Sequence, residues 1–163
     1  LDRLPQTNFF HIACHGIFQP NAPDQSGLIL MPERGKPTLL SLRDLSSLNL
    51  TGVQQVILSS CWSADNFVLP GRWVISLPET FYRAGAKSVF GCLWPVSDTL
   101  AEAFMRRFYT YLETCPRDVA LQKTQLDCLS NRLSQNSIEN QSALYYWAGY
   151  TLAGDYAALP IRG

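Results

Sequence analysis

Val56-Ile57-Leu58-Ser59-Ser60-Cys61-Trp62-Ser63-Ala64-Asp65 is an apolar run that stops on a cysteine and then turns polar. Val56 to Ser60 has the length and β-branched content of a buried strand, and nothing from Cys61 to Asp65 continues it. The Cys61 thiol is therefore expected where a strand ends. In open α/β sheets, ligands and catalytic groups collect at the carboxyl ends of the strands, so a cysteine there is better situated for chemistry than one in mid-strand. A second run repeats the arrangement: Asn8-Phe9-Phe10-His11-Ile12-Ala13-Cys14 leads into His15-Gly16 and then the turn-rich Gln19-Pro20-Asn21-Ala22-Pro23-Asp24. One strand is expected to end on a histidine and the other on a cysteine.

Outward from this pair, strand and helix signals alternate. Leu28-Ile29-Leu30-Met31 is a short apolar run closed by Pro32 and Gly35. Ser41-Leu42-Arg43-Asp44 has the capping-box pattern with Asp in the acidic position, and Leu42, Leu45 and Leu48 follow at helical spacing, predicting a short helix ended by Gly52. Phe67 to Trp73, interrupted by Pro70-Gly71, reads as a long loop of the kind that serves an active site. Ser76 to Ala84 reads as a helix with Pro78 in its first turn and Gly85 after its end, and Ser88 to Leu93 as a third core strand. Proline forces Trp94-Pro95-Val96-Ser97 out of the sheet. Asp98 to Glu113 is the longest helix, with Leu100, Phe104, Phe108, Tyr111 and Leu112 as its apolar stripe. Pro116 to Leu133 repeats the pattern with Val119, Leu121, Leu126 and Leu129; Ser134 to Ser142 is a polar loop, and Tyr145 to Leu152 a closing strand or buried edge. Such alternation predicts an α/β fold with a mainly parallel sheet covered by helices on both faces.

The chain of 163 residues, 47% hydrophobic and 12% aromatic, suffices for one well-buried domain spanning 1–163. Thirteen basic residues balance thirteen acidic ones without a Lys/Arg run, which argues against nucleic acid or an anionic membrane surface as a partner. No apolar segment approaches the roughly 18 residues of a membrane span. The chain opens on Leu1 with no signal-peptide pattern, as a piece of something longer would. Five irregularly spaced cysteines fit free thiols in a reducing, cytoplasmic compartment rather than a disulfide framework.

A thiol with a free pKa of about 8.5 is only a few per cent ionised near neutrality, so a nucleophilic cysteine needs a neighbour that accepts its proton. His15 is one of two histidines. If its strand lies parallel and adjacent to that of Cys61, the two side chains project over one end of the sheet about one interstrand spacing of ~5 Å apart. Gly16, lacking a Cβ, lets a substrate carbonyl approach a backbone N–H, which could serve with that of Cys61 as an oxyanion donor.

His11-Ile12-Ala13-Cys14-His15-Gly16, then Leu58 to Ala64, Ala84-Gly85-Ala86-Lys87-Ser88-Val89, Leu93-Trp94-Pro95-Val96-Ser97-Asp98, and finally Trp147-Ala148 with Leu152-Ala153-Gly154, together resemble the CHAT domain. This is the caspase-like peptidase family often found behind tetratricopeptide repeats. The resemblance covers nearly the whole chain, with five motifs in order. It implies a caspase-like three-layer α-β-α sandwich, here without the N-terminal strands that usually precede the histidine strand, and a Cys–His dyad with His15 and Cys61 on the catalytic positions. It also implies acyl transfer from peptide bonds through a thioester, with activation by an upstream repeat domain or partner, and no cofactor.

For substrate contacts, strand parity turns Ser59 to the same side as Cys61, to line the pocket before the scissile bond. Trp94, Pro95 and Val96 could offer a backbone edge to an extended peptide. Asp24, Asp65 and Asp98 are the acidic candidates for holding a basic side chain, Asp98 doubling as a helix N-cap. His11 reads as a structural histidine within its strand, and Cys14, Cys92, Cys115 and Cys128 as core thiols. Zinc held by His11, Cys14, His15 and Cys61 is not expected, because strand parity turns Cys14 away from the two histidines. Two rivals stand beside the peptidase: a non-catalytic caspase-like scaffold reporting on a partner, and an α/β-hydrolase. The latter needs Gly-x-Cys-x-Gly, where Ser59 and Ser63 stand instead.

Overall fold

In a computed structural model, residues 8–17, 19, 21–22, 25–31, 35–59, 66–69, 73–133 and 144–155 are described, with backbone alone for 66–69 and 73–75. The elements follow in the order β1 (Phe9–Ala13), β2 (His15–Ile17), β3 (Gly27–Leu30), β4 (Thr38–Ser41), α1 (Leu42–Ser46), β5 (Gln55–Ser59), β6 (Asn66–Leu69), β7 (Trp73–Ser76), α2 (Leu77–Arg83), β8 (Ser88–Cys92), α3 (Asp98–Leu112), α4 (Arg117–Leu129), α5 (Leu144–Trp147) and β9 (Tyr150–Gly154).

The central sheet has the order β1-β5-β8-β9. Its first three strands are parallel and β9 closes it antiparallel, with Phe90 opposite Leu152. The apolar centre of β5, Val56-Ile57-Leu58, follows from its place in the sheet: its residues alternate between two covered faces. Val56 and Leu58 pack with Leu42, Leu45, Leu77 and Phe81 from α1 and α2. Ile57 packs with Phe90 of β8 and with Leu100, Phe104 and Phe108 of α3. This is the expected three-layer sandwich.

Two helices carry the caps their sequences announce. Ser41 caps α1, its hydroxyl accepting from the Asp44 backbone N–H while the Asp44 carboxylate accepts from that of Ser41. Ser76 caps α2, Pro78 sits in the first turn, and Gly85 follows the end at φ +112, where a side chain would be strained.

Four expectations need correction. The first strand stops at Ala13; a bend at Cys14 releases the chain into β2, which joins β3 and β4 in a separate antiparallel sheet. His15 therefore opens a new strand rather than ending the old one. Within 67–73, where a loop was expected, β6 and β7 form an antiparallel hairpin with Leu69 opposite Trp73. The apolar stripe of α4 is partly out of phase: Leu121 is buried as expected, but Leu126 and Leu129 are exposed, and Arg117, Ala120, Thr124 and Cys128 are buried instead. Tyr145 to Leu152 divides into α5 and the start of β9. The loop expected at 134–142 lies outside the described residues.

Candidate active site

The site is built at the carboxyl ends of β1 and β5. Their parallel register sets Phe9 opposite Gln55 and Ala13 opposite Ser59. In sequence, His15 follows Ala13 by two residues and Cys61 follows Ser59 by two. Cys61, Asp24 and Asp65 lie outside the described residues. His15 is exposed and stands opposite Ile29 of β3, and Gly16 lies in mid-strand opposite Leu28.

A cavity of about 510 Å³ opens at this rim, lined by His11, Ala13, Cys14, His15 and Ser59 on the sheet side and by Asp98, Glu102, Arg106 and Tyr109 from α3. A small pocket of about 70 Å³ adjoins it, sharing Ser59 and Asp98 and adding Cys92, Trp94, Val96 and Tyr150. Ser59 thus lines both. On its other side, His11, Cys14 and His15 wall a third space of about 820 Å³ with Ile29, Leu30, Met31 and Thr38. The bend at residue 14 breaks strict alternation, so Cys14 shares these walls with both histidines, against the parity argument.

Asp98 is the first residue of α3 rather than its cap; Ser97 holds the N-cap position and makes no side-chain capping bond. The Asp98 carboxylate is exposed and free to face a ligand. Trp94 is fixed by α5: its indole N–H donates to the Tyr145 carbonyl at 2.6 Å and its ring stacks on Tyr145 at 5.7 Å. Gly149 makes room for it, since a Cβ there would lie 2.9 Å from the indole nitrogen. The Pro95 carbonyl accepts from the Tyr145 hydroxyl, and the Trp94 carbonyl from the Cys92 thiol at 2.9 Å. The carbonyls of Trp94 and Pro95 are therefore already engaged, and the run meets the small pocket through Trp94 and Val96.

Sequence reasoning missed His11, Glu102, Arg106 and Tyr109 as groove residues. Tyr109 lies at an i, i+4 step from Met105 and Arg106 carries an ion pair to Glu102 at 2.6 Å, so all read as ordinary helix surface. His11 Nδ1 and the Tyr109 hydroxyl are 2.8 Å apart. Burial lowers the His11 pKa and pushes that of Tyr109 up to about 12, so both are neutral near pH 7. Burial also raises the Cys14 thiol, partly offset by a hydrogen bond from the backbone of Ile29. Cys14 is thus a poor nucleophile beside His15. Among the described residues no group of three His, Cys, Asp or Glu side chains is placed to hold a metal.

A mainly parallel sheet between helical layers, with a cleft at its carboxyl rim, fits a caspase-like fold. The chain belongs to the CHAT domain family, whose model matches residues 1–155. A similar solved structure, described as "Structure of Protease", superposes with a TM-score of 0.60 at 14% identity, covering 99% of this chain and 37% of that one. At this identity the likeness is one of fold. The chain spans about a third of that protein's length. No curated protein matches the chain. Among the described residues no helix is long and apolar enough to cross a membrane.

Proposed function

We propose that this domain is a caspase-type cysteine endopeptidase whose dyad is His15 and Cys61. The observation that carries the reading is the β1/β5 register: Ala13 and Ser59 are paired at the rim, and the histidine and the cysteine each follow one of them by two residues. In this reading His15 takes the Cys61 proton as the sulfur attacks the peptide carbonyl, and the N–H groups of Gly16 and Cys61 stabilise the oxyanion. The C–N bond then breaks, His15 returns the proton to the leaving amine, and a thioester remains. Water, deprotonated by His15, hydrolyses the thioester and restores the thiol.

Ser59, Val96 and Asp98 would contact the residue before the scissile bond, because they share the small pocket that adjoins the His15 groove. Asp98, with Asp24 and Asp65, favours a basic side chain there. Trp94 and Pro95 would support that pocket through α5 more than through a peptide-binding edge. The substrate is a protein or peptide, and an upstream repeat domain or activating partner would control access. No cofactor, nucleic acid or membrane contact enters this scheme, and the setting is the cytoplasm.

The test is turnover of a peptide library by the full-length protein. Cys61→Ala and His15→Ala each should lower kcat roughly 10⁴-fold while the thermal midpoint shifts by only a few degrees. Cleavage at the wild-type rate by Cys61→Ala would sink the assignment. A wild-type protein that neither cleaves nor reacts with a peptidyl electrophile under any condition would favour the scaffold reading.

A further inference from the structure

We infer that His11, held by Tyr109, is a substrate-positioning residue that offers a ring N–H to a bound peptide along the groove. The inference rests on the peptidase reading above and adds a residue to it.

His11 lies inside a strand, where a purely structural histidine would be buried and satisfied on both nitrogens. It is instead exposed and lines both large spaces at the rim together with His15. Phe9 and His11 turn to the same side of β1, and both rings meet Tyr109 of α3, at centroid distances of 5.8 and 5.9 Å. The phenol is thus held by packing as well as by its 2.8 Å contact with Nδ1. Among the described residues the Tyr109 hydroxyl has no other hydrogen-bond partner.

A neutral imidazole carries one N–H, and the tautomer is set by what the other nitrogen bonds. With the phenol proton donated to Nδ1, the ring proton resides on Nε2. The reverse arrangement would turn the phenol proton away from Nδ1, its one hydrogen-bond partner among the described residues. Nε2–H is then a donor on the groove wall, four residues before His15 in sequence. An extended peptide running past His15 presents carbonyls for such a donor at the strand repeat. A fixed tautomer spares the ordering that a freely flipping ring would need on binding.

The experiment compares the full-length wild-type protein with His11→Leu, His11→Gln and Tyr109→Phe. His11→Leu keeps a side chain against Tyr109 without a donor, His11→Gln restores an N–H near the Nε2 position, and Tyr109→Phe keeps the ring while freeing the tautomer. Peptide cleavage gives KM and kcat, and iodoacetamide gives the alkylation rate of Cys61, which needs no bound peptide. KM should rise about tenfold in His11→Leu, return to within about threefold in His11→Gln, and rise a few-fold in Tyr109→Phe, with kcat and alkylation little changed. An unchanged KM in His11→Leu overturns the inference. So does a joint fall of kcat, alkylation rate and thermal midpoint that glutamine does not repair, which marks a structural histidine. Absence of cleavage by the wild-type protein is a failure of the peptidase reading itself and is read before any variant.

Discussion

The two faces of the central sheet are built from different chemistry. Against α1 and α2 the buried set is aliphatic, with Leu28, Leu40, Leu42, Leu45, Leu50, Val56 and Leu58 around the single ring of Phe81, and no titratable group among its buried members. Against α3 and α4 it contains Phe90, Phe104, Phe108 and Tyr150 together with the thiols of Cys92, Cys115 and Cys128. The groove opens on this second face, where α3 supplies Asp98, Glu102 and Tyr109. One face is a packing layer, while the other holds the fold and shapes the site at once.

The sharpest way to break that contrast is to empty one site on each face. Phe104 stacks on Tyr150 with ring centroids 3.8 Å apart, and Tyr150 lines the small pocket. Phe104→Ala should cost about 4 kcal/mol and also lower kcat/KM of the molecules that remain folded. Leu45→Ala, buried on the opposite face, should cost about 3 kcal/mol and leave activity per folded molecule within about twofold. Denaturant titration paired with active-site counting checks both. If Leu45→Ala impairs folded-state activity as strongly as Phe104→Ala, the division of labour is wrong.

Alkaline pH separates the faces by a different lever. Burial pushes the Cys128 thiol up from 9.0 to about 11 and Tyr109 up from 10.0 to about 12. Both groups belong to the α3/α4 side. The unfolded chain ionises first, so their contribution is intact below pH 9.0, declines as pH rises through the window from 9.0 to about 12, and then levels off. Cys128 alone should account for a loss on the order of 2 kcal/mol across its part of that window. Cys128→Ala should flatten the urea midpoint between pH 9 and 11. An equally steep decline in that variant would mean that other groups drive it.

How much of this was legible in sequence depends on whether a segment's neighbours lie close along the chain. β5, β8, α2 and α3 were legible because buried periodicity and local caps fix them: Ser76 and Gly85 bracket α2, and Leu100, Phe104 and Phe108 mark α3. The bend at Cys14 was not, because Phe9 to Cys14 carries no Gly, Pro or other turn signal and only pairing with β3 draws His15 into a second sheet. β4 was missed because Thr38 to Ser41 is half exposed and gains its strand form from β3 opposite. The stripe of α4 was misread because Arg117 is buried and Leu126 exposed, an inversion that hydropathy cannot signal. In the site, motif and parity singled out His15, Ser59 and Asp98, and the structure places all three along the groove. Tyr109 was not, since its partner His11 lies 98 residues away in sequence.

The smallest effect tests whether the packing face owes anything to local chemistry. α1 is only five residues long, too short to persist by propensity, so its order must come from burial of Leu42 and Leu45 and from its cap. The Ser41 hydroxyl accepts from the Asp44 backbone N–H at 3.2 Å, and the Asp44 carboxylate accepts from the Ser41 backbone N–H at 3.0 Å. The Ser41 hydroxyl, donating to the Asp44 carboxylate at 2.6 Å, and then the Ser41 backbone N–H hold the Asp44 carboxyl below its usual range. Because that folded pKa is depressed, the cap is complete above the unfolded carboxylate pKa and is lost as pH falls through the folded one. Ser41→Ala should cost about 1 kcal/mol at pH 7 and progressively less in acid, where the wild-type carboxylate is itself being lost. Chemical denaturation at pH 7 and pH 3 reads the difference. A cost near zero at both values would mean that Leu42 and Leu45 hold α1 without help from the reciprocal bonds, and that the aliphatic face is ordered by burial alone.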